Sequence, residues 1–93
     1  MIRRVEVTRQ AEKQVRRLPV RVSEKLWTWV YLVREIGLEE VRKIPGFHDE
    51  PLAGRRRGMR SIRFSRAYLA MYRLVQEGDV EVVSVEEVGK HGY

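Results

Sequence analysis

The chain begins with an alternating pattern that changes to helical spacing after residue 7. Val5 and Val7 alternate with charged side chains, which predicts a short strand over residues 2–7. Thr8 is a favourable N-cap residue, because its hydroxyl can accept a hydrogen bond from a backbone N–H of the first helical turn. Pro19 ends the predicted first helix, since the residue before a proline disfavours helical geometry. Between them the apolar positions form one helical stripe: Ala11, Val15 and Leu18.

A wider apolar face predicts a second helix over residues 20–36. Gly37 follows it as a C-terminal cap. Residues 38–44 predict one further helical turn, which Pro45 and Gly46 stop. The apolar face consists of Val22, Leu26, Trp29, Val30, Val33 and Ile36, and Trp27 and Tyr31 are expected to widen it.

The second half of the chain has the pattern of a loop followed by three strands. Proline and glycine interrupt residues 46–58, which predicts the loop. Three apolar runs then predict strands over residues 59–64, 67–75 and 80–88. The order β-α-α-β-β-β indicates an α+β fold in which the two N-terminal helices pack on one face of a small antiparallel sheet. The length of 93 residues suits a single domain, residues 1–93.

The charge balance gives the first indication of a function. Nineteen Lys and Arg residues exceed thirteen Asp and Glu residues, which gives a net charge of +6 and a pI near 10.2. A positive field of this kind favours a polyanionic partner such as nucleic acid, an anionic membrane surface or an acidic protein.

Several kinds of site are not expected from the composition. Without cysteine the chain has no disulfide and no thiolate ligand, and two histidines, His48 and His91, are too few for a zinc cluster. No apolar run reaches the ~20 residues of a membrane span, and the N-terminal residues lack the apolar stretch of a signal peptide. We therefore expect a cytoplasmic protein that binds neither a metal nor another cofactor and does not enter a membrane.

An acid-free segment between Arg55 and Arg73 concentrates the positive charge. If Ile62 and Phe64 face the helices, strand alternation directs Arg63 to the open face of the sheet. Arg73 is expected on the same face. Like charges opposed across strands are destabilising, so the segment needs a counter-charge such as RNA phosphate or an acidic partner; a solubilising surface is the alternative. The segment contains seven arginines: Arg55, Arg56, Arg57, Arg60, Arg63, Arg66 and Arg73.

The C-terminal residues 90–93 include three side chains that suit RNA cleavage. Lys90 can neutralise a phosphate oxygen, His91 can donate or accept a proton near neutral pH, and Tyr93 can stack on a base. In such a cleavage a ribose 2′-OH attacks the adjacent phosphorus, cations stabilise the developing charge, and the departing 5′-oxygen needs a proton. An exposed C-terminal histidine without this role is the alternative interpretation.

His48 and the pair Glu86 and Glu87 are further candidates for the site. His48 is a second candidate for proton transfer, although a surface-loop position fits its sequence context better. Glu86 and Glu87 are expected to form ion pairs with arginines, or alternatively to orient His91.

Three features together resemble the RelE/ParE superfamily of bacterial toxins. They are the order β-α-α-β-β-β, the segment 60–68 with a second tyrosine at Tyr72, and the ending Val-Gly-Lys-His-Gly-Tyr over residues 88–93. Residues 45–54 are similar to those of a RelE/HigB-type branch. The resemblance extends over essentially the whole chain and is strongest from residue 52 onward.

The resemblance implies a type II toxin that cuts mRNA on the ribosome without a metal and is held inactive by a cognate antitoxin. It implies a phosphate contact for Arg63, or for Arg60 if the strand is shifted by one residue. It also implies a proton donor at His91, with Lys90 as the basic residue that precedes it. Tyr93 matches an aromatic residue that stacks on a base or assists proton transfer. Six further arginines are expected to contact RNA: Arg55, Arg56, Arg57, Arg60, Arg66 and Arg73.

One position departs from the pattern of the family. RelE-like toxins commonly carry an arginine after the tyrosine that Tyr68 matches, and this chain has Leu69 there. Loss of one such charge-stabilising donor lowers a rate by about 10²–10³-fold. Arg73 is the candidate to compensate, about 13 Å further along the strand. Two alternatives to an mRNA nuclease therefore stay open: a ParE-like gyrase inhibitor and a catalytically weakened RNA-binding relative.

Overall fold

A computed structural model describes residues 1–90 of the chain. Within these residues, two short 3₁₀ turns at Pro45–Phe47 and Gly54–Arg56 accompany three α-helices and five strands. The helices are α1 (Arg9–Val15), α2 (Val20–Ile36) and α3 (Leu38–Val41), and the strands are β1 (Arg4–Val7), β2 (Glu50–Pro51), β3 (Arg60–Arg63), β4 (Tyr68–Glu77) and β5 (Val80–Lys90).

The strands form one sheet in the order β1-β5-β4-β3-β2. The α+β class and the two helices before a three-stranded meander are confirmed, but the prediction of a purely antiparallel sheet is wrong. β1 pairs with β5 in parallel, with Val5 opposite Val83, whereas the other neighbouring strands are antiparallel. The helices between β1 and the meander return the chain over the sheet, as a parallel pairing requires.

A short strand lies in the segment that was predicted to be only a loop. Glu50 pairs with Ser61, and Pro51 pairs with Arg60, so β2 forms the edge of the sheet beside β3. Two residues are too few to show an alternating pattern. Proline is tolerated in β2 because an edge strand does not need every N–H for pairing.

The first helix begins as predicted and ends earlier. The Thr8 hydroxyl accepts a hydrogen bond from the Ala11 N–H at 3.1 Å, which confirms the N-cap. The helix stops at Val15 instead of continuing to the residue before Pro19. Leu18 nevertheless packs against the core from the turn that follows.

The core lies between the helices and one face of the sheet. Trp29 of α2 is fully buried, and its ring lies 5.4 Å from the ring of Tyr72 on β4. Leu26 of α2 and Ile62 of β3 are also fully buried. No helix of residues 1–90 combines the length and the apolar character that crossing a membrane requires. The buried stripe of α2 consists of Val22, Leu26, Trp29, Val30 and Val33.

Two aromatic residues of α2 lie outside the core, contrary to the prediction. Trp27 is 46% exposed and Tyr31 is 61% exposed. With 3.6 residues per turn, both positions lie about 100–150° around the helix from the centre of the buried stripe. The two side chains form an outer aromatic surface.

Candidate nucleic-acid interface

Strand alternation on β3 and β4 separates a core face from an open face. Ile62, Ala70 and Tyr72 belong to the buried core. Arg63, Leu69 and Arg73 have the opposite parity and are partly or fully exposed. The prediction that Arg63 and Arg73 share the open face of the sheet is therefore confirmed.

The register places Arg63 close to the end of the last strand. Arg63 pairs with Leu69, and Leu69 pairs with Gly89 on the other side. Because neighbouring strands lie about 4.8 Å apart, the backbones of Arg63 and Gly89 are about 10 Å apart. Lys90, which pairs with Tyr68, is exposed and is the last described residue. His91 and Tyr93 lie outside the described residues.

Arg73 lies in a different part of the open face. It pairs with Ser84, and its Nε lies 3.3 Å from a carboxylate oxygen of Glu86. Four residues of extended strand, about 13 Å, separate its backbone from that of Leu69. Arg73 therefore does not take the place of the arginine that RelE-like toxins have at the position of Leu69.

A β-bulge brings two acidic residues to the arginines of this face. Met71 pairs with Glu87 while Tyr72 pairs with Val85, so Glu86 is the additional residue on β5. Such a bulge changes the alternation locally. Glu87 forms an ion pair with Arg56, as Glu86 does with Arg73. The predicted ion-pair role of both glutamates is confirmed.

Arg60 points to the core side of the sheet. Its Nε donates to a carboxylate oxygen of Asp49 at 2.5 Å, and Asp49 is 1% exposed at the side chain. The Tyr72 hydroxyl donates to the other oxygen of Asp49 at 2.7 Å, and it accepts from Arg42 Nε at 3.3 Å. The strand is not shifted, so Arg60 does not occupy the place predicted for Arg63.

The surroundings of this cluster change the pKa of two of its members. Burial raises the pKa of Tyr72 to about 12, and the hydrogen bond to Asp49 acts in the same direction. Burial opposes the charge of Arg60, but the hydrogen bond to Asp49 outweighs it and raises the pKa of the guanidinium. Both groups therefore keep their protons throughout the neutral range.

The predicted arginines do not form one continuous patch. Arg56, Arg60 and Arg73 have acidic partners from other segments of the same chain, so part of the counter-charge that the segment needs comes from the protein itself. Arg55 and Arg57 are exposed in the segment before β3, and Arg66 is exposed in the turn between β3 and β4. None of these last three forms an ion pair with the residues that the structure describes.

Asp49 is the site-related residue that the sequence did not identify. Its two carboxylate oxygens hold Arg60 and Tyr72, which are 11 and 23 residues away along the chain. An aspartate between prolines in a loop is typical of a solvated turn, so no local signal indicates its burial.

The sequence comparisons gave no match: no protein-family model fits this chain, and no curated protein matches it. Solved structures do match. The archaeal RelE–RelB complex from Pyrococcus horikoshii OT3 has a TM-score of 0.70 at 18% identity, covering 99% of this chain and 98% of that chain. YafQ from E. coli has a TM-score of 0.69 at 21% identity, covering 96% and 93%. The chain has the RelE/ParE fold.

A third neighbour agrees with this assignment of the RelE/ParE fold. The YoeB/ParE toxin from Agrobacterium tumefaciens has a TM-score of 0.69 at 19% identity, covering 95% of this chain and 98% of that chain. Another structure of E. coli YafQ is described as the DinJ–YafQ toxin–antitoxin complex. The resemblance to the RelE/ParE superfamily is thus confirmed for the fold.

Proposed function

We propose that this protein is the toxin of a type II toxin–antitoxin system and cuts mRNA on the ribosome. One observation supports the proposal most strongly. The paired row of Arg63, Leu69 and Gly89 lies directly before Lys90, after which the chain continues into His91 and Tyr93. Arg63 thus shares the open face of the sheet with Gly89, and the residues proposed for proton transfer follow Gly89 along the chain.

The proposed cleavage uses side chains of this chain alone. The 2′-OH of a ribose attacks the adjacent phosphorus and releases its proton to a solvent water, the bond to the 5′-oxygen breaks, and a 2′,3′-cyclic phosphate results. Arg63 stabilises the negative charge on the phosphoryl oxygens. Lys90 pairs with Tyr68, which packs against the core, so Lys90 adds its positive charge from the end of the strand and not from the open face. His91 gives the departing 5′-oxygen its proton. Tyr93 stacks on the flanking base.

The remaining arginines are proposed to have two different roles. Arg55, Arg57 and Arg66 are exposed, and we propose that they contact RNA phosphates. Arg56 and Arg73 are paired with glutamates, so RNA must compete with those carboxylates for them. Both therefore add less to RNA affinity than exposed arginines do.

The antitoxin is proposed to be a protein with an acidic segment that covers the open face. The net charge of +6 provides the electrostatic attraction. Neighbours with this fold were crystallised as complexes, including the toxin–antitoxin complex RelBE2 from Mycobacterium tuberculosis. Coexpression with the adjacent reading frame should yield a stable complex that no longer cuts mRNA.

Cleavage of ribosome-bound mRNA tests the enzymatic proposal. Purified wild-type protein, His91→Ala and His91→Gln are added to programmed ribosomes, and the mRNA is mapped by primer extension. We expect cleavage by the wild type and a loss of at least about 100-fold in both variants, because neither replacement can donate a proton at neutral pH. Lys13→Ala, which removes an exposed charge on α1, is the control and should cut normally. Full activity of His91→Gln contradicts the role of His91.

Leu69 favours a second candidate, an RNA-binding protein with weak or no cleavage. Leu69 lies between Arg63 and Gly89. An arginine at this position would place its guanidinium beside the proposed phosphate contact, and this chain lacks that charge. RNA that is bound and remains intact on the ribosome supports this candidate. If mRNA stays intact while DNA supercoiling by gyrase stops, the ParE-like activity is supported instead.

A further inference from the structure

A basic cavity lies between the N-terminal half of α2 and the turn that connects β3 and β4. Its volume is about 250 Å³. Lys25 comes from α2, His48 from the loop after the first 3₁₀ turn, and Arg63 and Arg66 from the end of β3 and the turn. The remaining lining residues are Gly46, Phe64 and Ser65, so no acidic side chain of residues 1–90 lines the cavity.

The loop that carries His48, one wall of the cavity, is anchored by its neighbouring residues. His48 has φ 47°, in the left-handed region that few residues other than glycine adopt. Its neighbours on both sides are anchored: Phe47 is buried, and Asp49 is bonded to Arg60 and Tyr72. The backbone of His48 is thereby held beside the cavity that this residue lines.

The opposite wall is fixed by the hydroxyl of Ser65. Ser65 Oγ accepts hydrogen bonds from the N–H groups of Ala67 and Tyr68, both at 3.2 Å. An oxygen that accepts two bonds still carries its own proton, which it can donate to a ligand. The turn therefore presents a hydrogen-bond donor beside Arg66.

We propose that this cavity binds a phosphate group of an RNA strand, one position away from the phosphate at the cleavage site. The identification of the strand as RNA rests on the proposed function. Lys25, Arg63 and Arg66 bring three permanent cations to the cavity, and none of its lining residues in the described part of the chain is acidic, which suits a monoanionic phosphodiester. Arg63 lines the cavity and also belongs to the open face, so one strand can pass from the cleavage site into the cavity.

Phosphate fits the cavity better than the carboxylates of an acidic protein. The donors differ in geometry: a guanidinium fork from Arg66, a point charge from Lys25 and a hydroxyl from Ser65. A tetrahedral phosphate can accept from several directions at once, whereas a carboxylate accepts in one plane. The proposed contacts are all to phosphate and none is to a base edge, so the site should bind strands of any sequence.

Binding of a short RNA to the free protein tests the proposal. The probe is a fluorescent hexanucleotide with 2′-O-methyl riboses, which cannot be cleaved, in uridine and adenosine versions. Lys25→Ala and Arg66→Ala are each expected to raise Kd about 3–10-fold, equally for both sequences. Lys13→Ala and Arg17→Ala are the matched controls, because both side chains are exposed and lie on or after α1. Their Kd should change less than twofold.

The outcomes separate this proposal from the proposed nuclease function. If the cavity variants bind the hexanucleotide as the controls do, the cavity proposal is wrong even when wild-type protein cuts mRNA. If the cavity variants lose affinity while wild-type protein leaves ribosomal mRNA intact, the cavity proposal stands and the nuclease proposal fails. If only the affinity for the antitoxin falls, the occupant is an acidic protein and the RNA assignment is overturned.

Discussion

Arg63 and Arg73 share a sheet face but differ in what surrounds them. Arg63 is on the row that leads to Gly89, and Arg73 is about 13 Å further along, paired with Glu86. Parity alone treats the two arginines as equivalent. The register places them on different rows of the sheet, and this difference can be measured.

We predict that Arg63→Ala lowers mRNA cleavage far more than Arg73→Ala. Removing a charge that stabilises the transition state costs about 10²–10³-fold in rate, which is the loss expected for Arg63. Arg73→Ala should stay within about threefold of wild type, because its charge is already partly balanced by Glu86. Single-turnover cleavage on programmed ribosomes gives both rates. Equal losses in the two variants argue against the assigned phosphate contact.

The Tyr72 hydroxyl predicts a loss of stability in alkaline solution. Its pKa is raised from 10.0 to about 12 in the folded protein, so the folded state holds this proton more tightly than the unfolded state does. The resulting stabilisation is complete below pH 10 and is lost as the pH rises from about 10 to about 12. A shift of this size corresponds to about 2–3 kcal/mol.

Tyr72→Phe isolates this effect from the other groups that titrate at high pH. We expect the free energy of unfolding in urea to fall more steeply for wild type than for Tyr72→Phe between pH 10 and 11.5. At pH 9 the variant should already be less stable by about 1–3 kcal/mol, because Asp49 loses a donor in a buried position. Parallel pH profiles contradict the raised pKa.

At the scale of elements, α2 has two tryptophans with opposite environments. Trp29 is fully buried against Tyr72, and Trp27 is 46% exposed two residues earlier. Among the described residues, the indole N–H of Trp29 is buried without a hydrogen-bond partner. The sequence pattern grouped both residues on one apolar face, since both are large and apolar.

We predict that Trp29→Ala destabilises the protein by about 3–5 kcal/mol, whereas Trp27→Ala changes the stability by less than about 0.5 kcal/mol. Urea unfolding followed by circular dichroism measures both changes. If the alanine variant does not fold, Trp29→Phe is measured instead. Its loss of stability should be smaller, because it keeps a ring against Tyr72 and removes the unpaired N–H. Equal costs at the two positions contradict the assigned faces.

At the scale of the whole molecule, the excess charge is distributed unevenly. Three of the seven arginines between Arg55 and Arg73 form ion pairs with acids from other segments. Arg55, Arg57 and Arg66 are exposed without an ion pair to the described residues. The surface available to a polyanion is thus smaller than the composition indicates.

This distribution predicts a moderate salt dependence of RNA binding. Each phosphate contact to a single strand adds roughly 0.7 to the slope of log Kd against log salt concentration. About three to four such contacts therefore give a slope of about 2–3. Fluorescence anisotropy between 50 and roughly 300 mM NaCl measures it. A peptide nucleic acid of the same sequence, which has no phosphates, should not bind. A slope near zero contradicts an electrostatic interface.

The sequence by itself determined the features that depend on neighbours along the chain. Helical spacing identified the buried stripe of α2, alternation gave the faces of Arg63 and Arg73, and Thr8 predicted the start of α1. Each follows from a period of 3.6 or 2 residues, which is visible in a short window.

Only the tertiary structure decided the features that join distant segments. β1 pairs in parallel with β5 from the other end of the chain, and Asp49 is buried between Arg60 and Tyr72. The bulge at Glu86 and the cavity that Lys25 and Arg66 line also join segments that are distant along the chain. Such contacts depend on how whole elements pack and on strand register, and no local period encodes either of them.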